Sequence, residues 1–126
     1  MAVIVDSSLW VHQLRKGGDI AKRDRVNALI LSGDAAWCPV VRLELWRGVT
    51  SDIERRTLRR YEALLPSYDI SAEVWEHAIR LADRGRASGV TAPLADLLIF
   101  SCARIAGVEV AHDDKHFDQL LQLHRS

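Results

Sequence analysis

The chain has 126 residues, 48% hydrophobic and 27% charged, which suits one soluble domain with a core of its own. Its 17 basic and 17 acidic residues cancel, so bulk charge gives no case for nucleic-acid binding. No apolar stretch approaches the roughly 20 residues of a membrane-spanning helix. The two cysteines, Cys38 and Cys102, lack CxxC spacing and read as reduced core residues. Met1 leads straight into an apolar run with no leader pattern, so a cytoplasmic location is expected.

Ala2 to Val5 is short, apolar and β-branched, as a strand buried on both faces should be. Ser7 or Ser8 can cap a helix running to about Leu14, which Gly17-Gly18 ends. Ile20 to Leu31 reads as a second helix, and Ala35 to Cys38 as a second strand closed by Pro39. A short helix follows, carries Glu44 and stops at Gly48. Ser51 and Glu54 make an S-x-x-E cap for a helix to about Leu65. Tyr68 to Ile70 is a weak third strand, and Ser71 caps a helix to about Ala87. Pro93 sits in the first turn of a helix that Gly107 terminates. Val108 to Ala111 is a fourth strand, and Phe117 to Leu123 a last short helix. Short apolar strands alternating with helices predict a single α/β domain over residues 1–126, with a parallel sheet of about four to five short strands and helices on both faces.

Four acidic residues stand beside these apolar stretches: Asp6, Glu44, Asp96 and Asp114. In an open α/β sheet, ligands bind beyond the carboxyl ends of the strands. Asp6 follows the first strand and Asp114 lies just past the last, so both are expected at that rim. Asp96 falls in the first turns of a helix that is apolar nearly all round and therefore buried. Glu44 sits between Leu43, Leu45 and Trp46. Two carboxylates about 4 Å apart repel by roughly 4 kcal/mol at an effective dielectric near 20. Several such pairs would consume much of a domain's usual stability of about 5–15 kcal/mol. They persist if a hard divalent cation binds or if raised pKa values retain protons. Each residue also has a plainer use: Asp6 as a helix cap, Asp96 as a first-turn dipole partner, Glu44 paired with Arg47, and Asp114 in a turn.

Arginines are unevenly placed, with Arg42, Arg47, Arg55, Arg56, Arg59 and Arg60 in one stretch and Arg80, Arg84 and Arg86 in another. A guanidinium fork suits phosphate, which makes Arg42 and Arg47, flanking Glu44, candidates for contacting a phosphate-bearing substrate. The alternative is a set of solvated helix faces.

The segments Val5-Asp6-Ser7-Ser8-Leu9-Trp10, Glu44-Leu45-Trp46-Arg47-Gly48, Ala95-Asp96-Leu97-Leu98-Ile99 and Asp114-Lys115-His116-Phe117 carry a resemblance. In this order the chain resembles the PIN-domain ribonucleases, and within them the VapC-like toxins of bacterial toxin–antitoxin pairs. The resemblance implies that Asp6, Glu44, Asp96 and Asp114 form an acidic quartet, with Asp6, Asp96 and Asp114 as ligands of Mg²⁺ or Mn²⁺. It implies a supporting hydroxyl at Ser7 or Ser8. It further implies metal-assisted hydrolysis of RNA to 5′-phosphate and 3′-hydroxyl ends, a small cognate antitoxin, and a homodimer. The sequence departs at His112, where the family more often has Thr or Ser, and at Asp113 beside Asp114. The D-x-H-F register favours Asp114 as the ligand and leaves Asp113 to a turn. His116 reads as structural, and some of Ile53, Leu58, Tyr61 and Leu65 as an interface.

Three other readings compete. A phosphatase of the haloacid-dehalogenase type needs D-x-D, and Asp6 is followed by Ser7-Ser8. A phospho-acceptor receiver needs an early acidic pair and an acceptor after its third strand, where Asp69 is poorly placed. A non-catalytic α/β module that binds a partner protein would have no use for a cation.

Overall fold

The computed structural model describes residues 1–125; Ser126, the last residue of the predicted domain, lies outside them. The elements are β1 (Val3–Val5), α1 (Ser7–Leu14), α2 (Ile20–Leu31), β2 (Ala35–Ala36) and α3 (Pro39–Arg47). There follow α4 (Asp52–Leu64), α5 (Ala72–Ala87), α6 (Leu94–Ala106), β3 (Glu109–Ala111) and α7 (Lys115–Arg125). Helix boundaries follow local chemistry. Ser51 and Ser71 accept from the N–H groups of Glu54 and Val74, and Gly107, at φ 73°, turns the chain out of α6 toward β3.

The sheet has strand order β2-β1-β3, all parallel. Ile4 and Val5 are both fully buried, and since successive strand residues point to opposite faces, helices cover both sides. Helix α1 packs on α2, and α2 on β2; α3, α5 and α7 gather around α6, which also packs on β3. Trp10 lies in the centre of the core, its ring 5.6 Å from Trp37 and 5.0 Å from Tyr61.

The described residues contain three strands, fewer than expected, and the predicted strand at Tyr68 to Ile70 does not form. Only a bridge survives, in which Trp37 N–H donates to Pro66 O and Tyr68 N–H to Trp37 O. The physical reason is space: Pro66 has no N–H to give, and the Ser71 cap starts α5 before the segment can extend. The expected interface on α4 is also narrower. Leu58 is fully buried and Tyr61 packs on Trp10, leaving Ile53 exposed at 69%.

Because β1 is central and β2 and β3 flank it, the strand order reverses at its carboxyl end, which is where open α/β sheets place their binding crevice. Asp6 N–H donates to Ala111 O at 2.9 Å, so the ladder continues to the rim and holds the start of α1 beside the end of β3.

Candidate functional site

Three helices begin at this rim, each with an aspartate in its first turn or cap. Asp6 caps α1, its Oδ2 accepting from Ser8 N–H at 3.0 Å. Asp96 lies in the first turn of α6. Asp114 precedes α7, with Oδ1 accepting from His116 N–H at 2.9 Å. The positive ends of three helix dipoles therefore offset part of the negative charge. Glu44 reaches in from α3, its Oε1 accepting from Ser7 Oγ at 3.0 Å.

Asp96 and Asp114 meet His116, and one ligand atom of each lies within 4.8 Å of the others. His116 Nδ1 is 2.8 Å from Asp114 Oδ1 and 3.4 Å from Asp96 Oδ2, though neither contact has hydrogen-bond geometry. Asp6 and Glu44 lie outside this tight group but act on it through charge. Burial, then Asp114, Asp6 and Glu44, push the Asp96 carboxyl up to about 7. Burial works against Asp114 too, but the His116 N–H, the protonated Asp96 and the His116 ring hold it below the usual carboxylate range. Asp96 and Asp114 thus oppose each other's ionisation, and the proton is retained more readily on Asp96. Glu44 is raised, by burial first and by Asp6 and Asp114, against the pull of Ser7 and Arg47.

Asp6 is 2% exposed and Asp96 6%, and Asp6 Oδ1 and Asp96 Oδ2 are buried with no hydrogen-bond partner among the described residues. A buried carboxylate oxygen without a donor is costly. Clustered, unpaired carboxylate oxygens with an imidazole nitrogen fit a divalent cation such as Mg²⁺ or Mn²⁺.

The two serines have separate uses. Ser7 holds Glu44, while Ser8 Oγ accepts from Asp113 N–H at 2.9 Å and ties the loop before α7 to α1. Asp113 itself turns outward to an ion pair with Lys22, which lowers its pKa. His112 Nδ1 accepts from Asp114 N–H at 3.2 Å, and its ring packs 4.9 Å from that of Phe117. It shapes the turn that presents Asp114 and stays out of the acidic group.

Arg42 and Arg47 part company. Arg42 donates through Nη2 to Glu62 Oε2 at 2.7 Å and through Nε at 3.2 Å, and Trp46 Nε1 donates to the same oxygen. It is engaged in a bond between α3 and α4. Arg47 instead lines a groove of 190 Å³ with Ser7, Arg15, Glu44 and Glu54. Sequence reasoning missed Arg15 there and read His116 as structural. The signal for His116 was its place two residues after Asp114: an aspartate that caps a helix brings the side chain at that position back beside its own carboxylate.

A VapC ribonuclease of Mycobacterium bovis is 28% identical over 125 residues, covering 96% of this chain and 92% of the relative. Ribonuclease VapC11 of Mycobacterium tuberculosis matches with the same identity and coverage. Among solved structures, VapBC2 from Rickettsia felis, bound to a DNA fragment from its promoter, superposes with a TM-score of 0.79 at 19% identity, covering 94% of this chain and 92% of that one. VapC20 of Mycobacterium tuberculosis, a sarcin-ricin loop cleaving toxin, gives a TM-score of 0.71 at 19% identity, covering 94% of each chain. The PIN domain family matches residues 3–121, nearly the whole chain, and the chain belongs to that family.

Proposed function

We propose that this protein is a divalent-metal-dependent endoribonuclease and the toxin of a toxin–antitoxin pair. The observation that carries the reading is the convergence of Asp96, Asp114 and His116, with Asp6 and Glu44 on the same rim, around buried oxygens that none of the described residues satisfies. Asp6, Asp96 and Asp114 are the proposed ligands of Mg²⁺ or Mn²⁺, with Glu44 completing the quartet and His116 Nδ1 adding a nitrogen donor. Bound there, the ion supplies Lewis acidity that activates water and stabilises the leaving oxygen of a phosphodiester.

The chain's own groups do the rest. Asp96 must lose its proton before the donor set is complete, so binding of the cation releases a proton near neutral pH. Ser7 orients Glu44, and Ser8 fixes the loop that carries Asp114. Arg15 and Arg47, beside Glu44, offer guanidinium forks to the RNA backbone. The VapC ribonucleases among the relatives support the RNA substrate, and the VapBC complexes among the structural neighbours support a small antitoxin partner. In the homodimer that belongs to this reading, exposed Ile53, Trp75 and Ile79 supply apolar contact area. The partner-binding module without catalysis is disfavoured by the unsatisfied oxygens, which such a module would have no reason to keep.

Calorimetric titration with Mn²⁺ tests the site. Wild type should bind with proton release and Asp114→Asn should not, and RNA cleavage should stop in EDTA. Equal Mn²⁺ binding by both proteins, or cleavage that survives chelation, contradicts the proposal.

A further inference from the structure

A cleft of 560 Å³ opens directly beside the acidic group. Its size falls within the roughly 300–1,000 Å³ typical of small-ligand sites. One wall is the loop after α5, with Ser88 and Thr91, and the other is α7, with Lys115, His116, Gln119 and Gln122. Helix α7 divides its faces cleanly. Phe117, Leu120 and Leu123 enter the core, while positions 116, 119 and 122 form the adjacent stripe and face the cleft. The loop is held close by Val90 N–H donating to Gly85 O at 2.7 Å. Only glycine permits this, since a Cβ at position 85 would stand 2.7 Å from Val90 O.

Three features define what the cleft can take. Among the described residues, Thr91, Lys115, Gln119 and Gln122 have no side-chain hydrogen bond or ion pair, so their donors and acceptors are available. Lys115 is the one formally charged lining residue, and its sign suits a phosphate. His116 belongs to both places, lining the cleft and standing 2.8 Å from Asp114 Oδ1. A polymer held with its scissile phosphate at the carboxylates can therefore run its neighbouring unit past His116 into this space.

We infer that the cleft between the 88–91 loop and α7 is a subsite for one unstacked RNA nucleotide next to the cleaved bond, with Gln119 and Gln122 reading its base edge and Lys115 meeting its phosphate. The inference rests on the endoribonuclease reading of the adjoining carboxylates. A glutamine amide presents a donor and an acceptor side by side, the pattern needed to tell base edges apart. Single-stranded RNA is read this way, with bases turned out of the stack and bound by their edges. The groove at Arg15 and Arg47 lies on the Glu44 side of the site, and its guanidinium forks suit backbone phosphate.

The test uses the full chain in two parts. In the first, wild type and the Gln119→Ala and Gln122→Ala variants cleave a randomised single-stranded RNA pool, and the cut ends are sequenced. The variants should lose at least about threefold of the nucleotide enrichment at one fixed position beside the cut, with KM raised and kcat within about twofold. Wild-type enrichment and KM in both variants would overturn the subsite. In the second, short single-stranded RNA is titrated into the Asp96→Asn variant while the glutamine side-chain amides are followed by NMR. Resonances of Gln119 and Gln122 should move on binding, and their staying fixed would overturn the subsite. Should wild type fail to cleave RNA while these amides shift, the hydrolase reading fails and the nucleotide subsite stands.

Discussion

Replacing Asp96 by Asn should stabilise the metal-free protein above neutral pH and leave it nearly unchanged at about pH 4. The folded state raises this carboxyl from 3.8 to about 7, chiefly through burial and through Asp114. Below pH 3.8 both folded and unfolded forms carry the proton. Between that value and about 7 the folded form keeps a proton that the unfolded form has released, so stability falls as pH rises across this window. At about 1.36 kcal/mol per pH unit the loss is about 4 kcal/mol for this group. Asp114, whose pKa is lowered, returns part of it, because it contributes stability that is present above its unfolded value. Asn resembles the protonated acid in shape and carries no charge, so it should recover about 2–4 kcal/mol at about pH 8, a Tm rise on the order of 10 °C for a domain of this size. At about pH 4 little of that window has been crossed, and the difference should shrink below about 1 kcal/mol. Thermal unfolding in EDTA at both pH values measures this directly. Added Mg²⁺ should narrow the gap at the higher pH, since a ligand at 100 times its Kd stabilises by about 2.7 kcal/mol and the variant lacks a ligand charge. A variant no more stable than wild type at about pH 8, or equally favoured at both pH values, refutes the reasoning.

Other expectations follow from the same geometry. Asp6→Asn should reduce RNA cleavage by about 100-fold or more, a barrier increase of about 2.7 kcal/mol, with circular dichroism unchanged; near-normal turnover would remove Asp6 from the site. Asp114→Asn should abolish Mn²⁺ binding while Asp113→Asn, which breaks only the exposed pair with Lys22, should cost little stability and little activity. The reverse order would place the ligand one residue earlier. Arg42→Ala should lower Tm by leaving Glu62 without its guanidinium partner while RNA affinity holds, whereas Arg47→Ala should raise KM with Tm unchanged. Matching effects of the two arginines on KM would contradict the separation seen between them.

Much of this was legible in the sequence because it is local. A β-branched run such as Val3-Ile4-Val5 specifies a buried parallel strand, whereas the cap of α1 falls on Asp6 and not on Ser7 or Ser8, because the Asp6 carboxylate takes the Ser8 N–H and both serines are already helical. The helix around Asp96 is apolar on nearly every side, and that alone says the carboxylate is buried. What was not legible depends on contacts between distant residues. Tyr68 to Ile70 has the composition of a strand, but its neighbour Trp37 offers only one bridge before α5 begins. Arg42 looked free until α4 brought Glu62 against it. Ser8 holding the backbone of Asp113 spans 105 residues, and no local pattern encodes it. His116 lay between the two cases. Its D-x-H spacing is local, but its approach to Asp96 needs the packing of α6 against α7.

The chemistry of the cut ends tests the central claim most directly. Purified protein with Mg²⁺ or Mn²⁺ is incubated with RNA, and the termini are mapped by their susceptibility to a 5′-phosphate-dependent exonuclease and by ligation of the 3′ ends. Attack by water at a carboxylate-held metal site leaves 5′-phosphates and 3′-hydroxyls, with no product in EDTA. Cyclic 2′,3′-phosphate ends would mean that the ribose hydroxyl is the nucleophile, and undiminished 5′-phosphate products after chelation would mean that no metal is needed; either result would contradict a metal centre at Asp6, Glu44, Asp96 and Asp114.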